Sequence, residues 1–397
     1  MNKLEQLLSE LCPDGVEYKK LGEIATISRG GNLQKKDFRE TGIPCIHYGQ
    51  IYTRYGLFAD KTFTFISEEC AKKQRWAYPN DIVMAVTSEN VEDVCKCLAW
   101  LGDEPVAVSG HTAIIHHSLN AKYLTYYLHT EMFAAQKKKL VHGTKVMEVT
   151  PDALNAITIP VPPLPVQSEI VHILDQFTGL TAELTQQLTK EFVARKKQYE
   201  FYRDVLLTSS NQIEYKTLPD ISCNCDRQRK PITKGKREAG QYPYYGASGI
   251  VDYVANYIFD GDYLLISEDG ANLLARSTPI AFSISGQNWV NNHAHVIQFD
   301  TLEMQKYVEI YLNSIDLSRY ISGGAQPKLN QDNLNKIPIP VPPFNEVKQI
   351  VTILTKFDIL CNDLTSGLPA EIEAQQKQYE YYRDRLLTFK ELKENCD

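Results

Sequence analysis

Two stretches of this chain concentrate side chains that neutralise phosphates and reach base edges. In the first, Arg29, Lys35, Lys36 and Arg39 flank Asn32 and Gln34 beside the pair Gly30-Gly31, and Lys72, Lys73 and Arg75 follow. In the second, the run DRQRKPITKGKRE supplies Arg227, Arg229, Lys230, Lys234, Lys236 and Arg237, with Tyr244 and Tyr245 close behind. Lysine and arginine replace the counterions of a phosphate backbone. Arginine, glutamine and asparagine also have the geometry to hydrogen-bond base edges, and tyrosine rings can support or stack. Lys137, Lys138 and Lys139, beside His142 and Lys145, form a further cluster. One cluster alone reads equally well as a solvated face. Two loops of the same kind, each after the first strand signal of its own segment, point to a shared binding task.

Bond-making chemistry is harder to find. No G-x-x-x-x-G-K-[ST] phosphate loop is present, since Gly235-Lys236 lacks both the upstream glycine and a following Ser or Thr. VPPF (Val341 to Phe344) is similar to the N-P-P-[FY] motif of adenine methyltransferases but lacks its asparagine. Its twin VPPL (Val161 to Leu164) lacks the aromatic as well, so both read as structural turns. His111 and His293 sit at matching places before a strand signal, with no evident partner, and read as structural hydrogen-bonding groups. The nine cysteines show no CxxC spacing. Cys95/Cys97 and Cys223/Cys225 could each offer half of a metal site if they lie on strands, but no further Cys/His cluster completes one. Reduced, partly buried thiols are the expectation.

The elements that position these residues come from a chain of 397 residues, 43% hydrophobic and 23% charged. That is enough for more than one packed domain. The opening MNKLEQLLSELCPDG has neither the basic start nor the apolar run of a signal peptide. No segment approaches the ~20 apolar residues of a membrane span. A cytoplasmic protein with no membrane partner is expected. The net charge of −7 argues against indiscriminate coating of nucleic acid, but not against local basic surfaces.

The chain also says one thing twice. Ile157 to Thr208 aligns without a gap on Ile337 to Thr388, with Pro160 on Pro340 and Arg203 on Arg383, and about half of the pairs are identical. Each copy opens with a proline-rich stop, IPVPPLP or IPVPPF, which reads as a strand end and rigid connector. A narrow apolar stripe at helical steps follows: Ile170, Leu174, Phe177, Leu180, Leu184, Leu188 and Phe192, then Ile350, Leu354, Phe357, Leu360, Leu364, Leu368 and Ile372. Two long helices of roughly 60 Å, paired antiparallel as a coiled coil with a head at each end, satisfy this pattern. Two helices packed on separate cores remain the alternative. Gly367 and Pro369 fall inside the second copy and should kink or break it. The KQYE-[FY]-YRD segment of each copy offers Tyr199, Tyr202, Arg203, Tyr379, Tyr382 and Arg383 as equivalent docking residues.

The segments between the helices differ in sequence but share a skeleton: an E-Y-K signature, a basic loop, apolar strand signals (DIVMAVTS, DYLLISEDG), a later strand (GHTAII, NHAHVI) and a short helix (AKYLTYYLHTEMF, TLEMQKYVEIYLNS). The fold expected is α+β: two mixed, strand-rich domains and two long helices forming an antiparallel coiled coil, a pseudo-twofold internal repeat. The boundaries expected are a short N-terminal helix over 1–11, a first recognition domain over 12–166, a first long helix over 167–208, a second recognition domain over 209–344 and a second helical repeat over 345–397. Leu4 to Leu11 is amphipathic and should pack near the final helix.

Head, helix, head, helix, with I-[TP]-I-P-V-P-P before each helix and Gln167 after PPLPV, resembles the specificity subunit of a type I restriction–modification system. The GNLQKKDF loop and the VNNHAHVI stretch are similar to segments of that family's recognition domains. Val347 stands where the first copy has Gln167, a small departure. The resemblance implies a non-catalytic subunit whose two domains each read one half of a bipartite, asymmetric site in double-stranded DNA. The helices would set the spacer and dock two modification (methyltransferase) subunits, with restriction subunits completing the complex. No cofactor is implied in this chain; S-adenosylmethionine, ATP and magnesium would act on the partners. A recognition subunit of another restriction class, and a coiled-coil adaptor whose heads bind protein, are the rivals.

Overall fold

The computed structural model describes residues 2–210, 212–323, 326–363 and 366–392. The helices that carry the architecture are α1 (Lys3–Leu11), α2 (Ala121–Tyr127), α3 (Leu164–Thr208), α4 (Leu302–Ser314), α5 (Phe344–Asn362) and α6 (Leu368–Leu386). Two compact units result, one of residues 1–186 with 372–397 and one of residues 187–371. Each unit thus contains one strand-rich head and the helical segments that pack on it.

Unit one holds a five-stranded sheet in the order Ala25–Arg29, Thr112–His117, Ile82–Ala85, Cys97–Trp100, Phe58–Ala59. The Ile82–Ala85 and Cys97–Trp100 strands are buried along their whole length, as an unbroken apolar run requires. A four-stranded sheet follows the order Thr64–Ile66, Ile43–Ile46, Val106–Val108, Arg75–Ala77, with Ile43–Ile46 parallel to Val106–Val108. Unit two repeats the plan. One of its sheets runs Cys223–Asn224, Ala294–Gln298, Tyr263–Ser267, Ala281–Ile284. The other runs Gly249–Val254, Ala239–Gly246, Gln287–Val290, Phe259–Asp260, again with a parallel central pair.

A common joint fixes each head to its helix. The E-Y-K strand pairs antiparallel with the strand that ends at the prolines, in the same register in both units: Tyr18 opposite Pro160, Tyr215 opposite Pro340. In a two-stranded ribbon a proline can leave its missing N–H on the open side, so the motif does not break the pairing. The tyrosines of the head helix then tie the ribbon down. Tyr123 and Tyr127 donate to the carbonyls of Pro160 (3.1 Å) and Thr158 (3.0 Å); Tyr307 and Tyr311 donate to Pro340 (2.6 Å) and Pro338 (2.9 Å). Gln167 is buried, donating to the Pro162 carbonyl and accepting from the Asn120 N–H, whereas Val347 fills its place with apolar contact.

The first long helix is a single element of 45 residues, roughly 67 Å at 1.5 Å each. Within unit one, Phe177 stacks on Tyr382 at 6.2 Å and Thr178 meets Tyr379 at 2.9 Å, so α3 and α6 run antiparallel. Within unit two, Tyr202 lies 5.9 Å from Phe357 of α5, which is the same pair under the repeat's numbering. The apolar stripe is buried at Ile170 and Leu174 but open at Leu180, 64% exposed. The second copy is not one helix. It stops at Asn362 and restarts at Leu368, placing Pro369 in the first turn of α6, where its missing N–H is not needed. Leu364 of the stripe lies outside the described residues.

Two further differences from expectation are local. The AKYLTYYLHTEMF segment splits, because Thr130 accepts from the Phe133 N–H and starts a second short helix, Glu131–Lys137. Cys95 occupies a left-handed turn (φ 69°) rather than a strand, and among the described residues no group of three or more His, Cys, Asp or Glu is placed to hold a metal. At the ends of the chain, Asn2 and Glu5 form a capping box on α1, and Leu4 enters the core that also holds Leu387. Val16 exchanges backbone hydrogen bonds with Lys390 and Leu392. No described helix is long and apolar enough to cross a membrane.

Candidate nucleic-acid interface

The loop of the first head leaves its sheet at Gly30 and Gly31 and runs tight against the Val106–Val108 strand. The Gly31 N–H donates to the Val108 carbonyl at 2.7 Å. A Cβ on Gly30 would stand 2.0 Å from the Ser109 carbonyl oxygen, and one on Gly31 would stand 2.5 Å from Gln74 Oε1. Only glycine permits that approach. Leu33 is buried as an anchor, and Asp37 accepts from the Gln34 N–H to close the 3-10 turn Lys35–Asp37. Asn32, Gln34, Lys35 and Lys36 are left exposed.

These residues border two adjoining hollows. One, of about 580 Å³, is lined by Arg29, Asn32, Gln34, Lys35, His47, Tyr48 and His111 among others. The next, of about 390 Å³, shares Asn32 and Gln34 and adds Lys36, Ser67, Lys73 and Gln74. The fold therefore joins two basic segments separated in sequence, and Arg75 follows on the strand register opposite Val108. Arg29 is already engaged, bonded to the Gly110 carbonyl and to Glu148, both at 2.9 Å. Arg39 lies at the sheet edge beside Phe65, and Lys72 at the end of the Glu68–Ala71 helix, both exposed and outside the two hollows.

Sequence reasoning offered Tyr48 as a ring that could stack and read His111 as a structural hydrogen-bonding group, but missed Phe38 and His47 at this surface. Phe38, His47, Tyr48 and His111 form a chain of ring contacts with centroids 5.6, 4.6 and 4.9 Å apart. Burial, then the charge of Lys35 and the nearness of His111, depress the His47 imidazole to about 4, so it stands neutral near pH 7. Its Nδ1 accepts from the Gly49 N–H. Matching His111 with His293 was the available signal.

The second head divides its basic run between structure and surface. Arg229 is turned inward, with bonds to Glu268 (2.7 Å) and the Ala294 carbonyl (2.7 Å) and an ion pair to Asp226 (3.3 Å). Arg237 pairs with Asp252 at 3.0 Å and lies 4.4 Å over the ring of Tyr244. Tyr244 is 1% exposed and its hydroxyl receives the Ile232 N–H, so the ring is a support under the loop and not a reader of bases. Arg227, Lys230, Lys234 and Lys236 remain exposed, and Tyr245 is half-buried. Lys137 of the further cluster is also internal, donating to the carbonyls of Glu92 and Val94.

Two histidines of the second head are tied into its structure. His295 is buried with Nδ1 on Asp226 at 2.6 Å and Nε2 on the Leu329 carbonyl at 2.8 Å, so neither nitrogen is left to act on a substrate. His293 does have a partner, the Asp269 carboxylate at 2.9 Å. Among the residues offered for docking, Tyr202 and Tyr382 stay well exposed, while Tyr379 is bonded to Thr178 and Arg383 is 9% exposed beside Asp384. Tyr199 is half-buried, and Arg203 pairs with Asp204.

The family described as type I restriction modification DNA specificity domain matches residues 13–192 and 211–374. The specificity subunit of the type I restriction enzymes EcoR124I/EcoR124II of Escherichia coli is 31% identical, over 98% of this chain and 97% of that protein. The fold is shared with a chain from a structure of type I restriction–modification complex assembly (TM-score 0.67, 13% identity, 95% of this chain and 98% of that one). It is shared too with the HsdS subunit of Thermoanaerobacter tengcongensis (TM-score 0.56, 14% identity, 95% and 96%).

Proposed function

The chain belongs to the type I restriction–modification DNA specificity family, and from that premise we propose that its two heads read the two unlike halves of one bipartite site in double-stranded DNA. The observation that carries this reading is a constant joint bearing variable loops. Both heads hang on the same ribbon register and the same tyrosine-to-proline bonds, yet expose different basic loops. Identical heads would imply a palindrome; unlike heads imply two unlike half-sites.

In the first head, Lys35, Lys36, Lys73 and Arg75 take the phosphates, while Asn32 and Gln34, exposed on the loop between them, reach base edges in the major groove. In the second, Arg227, Lys230, Lys234 and Lys236 do the corresponding work. The long helices set the spacer and present two equivalent faces, around Tyr202 and Tyr382, to two modification subunits. S-adenosylmethionine, and the ATP and magnesium of the restriction subunits, act on those partner chains, and this chain carries no catalytic group. The complex works in the cytoplasm.

With a net charge of −7, the chain alone should hold DNA weakly and gain affinity when its partners join. Fluorescence anisotropy on a target duplex, with and without the modification subunit and across a salt series, tests this. Salt-dependent binding that tightens by at least tenfold with the partner is expected. Equal affinity with and without the partner contradicts the assembly reading, and no salt-dependent binding in either state returns the chain to a protein-binding adaptor.

A further inference from the structure

The two units match closely where the head helix meets the long helix, except at Tyr126 and its partners. In unit one, Tyr126 is fully buried, its hydroxyl donating to Asp175 Oδ1 at 2.8 Å and lying 3.2 Å from Thr178 Oγ1. Thr178 is in turn 2.9 Å from Tyr379 Oη, and Lys122 Nζ meets Asp175 at 2.6 Å. The tyrosine bonds to the proline ribbon set the equivalent positions in unit two. Tyr123 corresponds to Tyr307 and Tyr127 to Tyr311, so Lys122 falls on Lys306 and Tyr126 on Ile310. The helix repeat places Asp175 on Thr355, Thr178 on Asp358 and Tyr379 on Tyr199.

Unit two therefore keeps a carboxylate and a hydroxyl one helical turn apart, in exchanged order, with Tyr199 beside Asp358, but Ile310 stands where the second phenol, Tyr126, engages them in unit one. Lys306 turns to Glu309 at 2.6 Å instead. A cavity of about 380 Å³ opens there, lined by Tyr199, Arg203, Ile310, Leu354, Thr355 and Asp358 among others. Thr355 Oγ1 is buried with no hydrogen-bond partner, a condition that folded proteins rarely leave unrelieved.

We propose that this cavity receives the phenol ring of a tyrosine presented by a docking protein partner, in the place that Tyr126 fills from within in the other unit. The volume lies in the ordinary range for pockets that enclose a small ring compound. A phenolic hydroxyl is both donor and acceptor, so it can donate a hydrogen bond to Asp358 and, with the Thr355 hydroxyl turned toward the cavity, accept one from Thr355. Tyr199 and Arg203 come from the repeated segment that the sequence marks for docking, which puts the cavity on the face offered to a partner. The inference rests on the reading of this chain as a docking platform for modification subunits.

The test uses the full chain and p-cresol, the tyrosine side chain as a free molecule, followed by ligand-observed NMR. Saturable binding is expected. Ile310→Tyr, which fills the cavity, should weaken it at least tenfold. Thr355→Val, which keeps the shape and removes only the hydroxyl, should weaken it about three- to tenfold with an unchanged circular dichroism spectrum. Ile310→Tyr should also weaken association with the modification subunit at least tenfold. No saturable binding, or binding indifferent to both substitutions, overturns the site. Binding of p-cresol with unchanged partner affinity in Ile310→Tyr overturns the occupant, as does a self-association of this chain that Ile310→Tyr abolishes. If the wild-type chain does not bind the modification subunit, the docking reading falls and takes the donor with it, while p-cresol still reports the cavity's chemistry separately.

Discussion

Lys35, Lys36 and Lys73 are the exposed cations that the first head gathers on one surface, and they should act on DNA through charge. Replacing all three by alanine is expected to weaken binding evenly across sequences and to lower the slope of log affinity against log salt by about 0.9 per lysine. Asn32→Ala or Gln34→Ala should instead cost about 1–3 kcal/mol at a single base pair of one half-site, measured as relaxed specificity at that position. In the second head, burial alone would raise Asp226, but its bonds and charge contacts with His295, the Val296 N–H and Arg229 hold it below the usual carboxylate range. Glu268 is held down against burial in the same way, by Arg229, His295 and Lys328. Carboxylates depressed on folding stabilise at pH values above their ordinary pKa of about 4 and lose that contribution as pH falls through the lower folded value. Unit two should therefore weaken below about pH 4. Asp226→Asn should cost about 3–5 kcal/mol near neutral pH and flatten this acid loss, as read by urea unfolding with hydrogen exchange in Ala294–Gln298. The sequence displayed the basic run but not its division. Arg229 and Arg227 look alike in it, because Glu268, which captures the former, is 39 residues away.

At the scale of the element, the long helix and its interrupted partner carry the proposed ruler. Four residues inserted after Leu184 add about 6 Å and roughly one full turn, which keeps the apolar stripe nearly in phase. The recognised spacer should then lengthen by about one to two base pairs, given that a duplex rises ~3.4 Å per base pair. An unchanged spacer would remove the ruler. The helix pair was legible because a repeat and a helical stripe occurred together, and the break was legible from Gly367 and Pro369. A Cβ at Gly367 would stand 2.6 Å from the Asp363 carbonyl oxygen, so the turn between α5 and α6 requires glycine there, and Pro369 lies beyond it inside the first turn of α6. Pro369→Ala should consequently leave helical content unchanged by circular dichroism. The split at Thr130 was not legible, since neither glycine nor proline marks it and a threonine cap inside an apolar pattern is a weak signal.

Across the whole molecule, the repeat exposed the architecture and the amphipathic start pointed to the final helix, while the backbone pairing of Val16 with Lys390 and Leu392 needed the structure. Leu4, Leu7 and Leu8 pack with Leu386, Leu387 and Phe389 in one core. Deleting residues 2–11 should lower the melting temperature of unit one by about 5 °C or more, since each lost kcal/mol is worth about 2–4 °C in a unit of this size. The strand order of each head was also beyond the sequence, because the parallel central pair joins segments far apart in the chain. What those sheets hold up is the central claim: two loops of different code on one repeated frame. The most direct measurement is methylome sequencing of cells that express this chain with its modification subunit, beside a version whose residues 209–343 come from another member of the family. A methylated-adenine motif of two unlike short sequences around a fixed gap is expected, with only one half altered by the exchange. A palindromic motif, or both halves changing together, would contradict the claim.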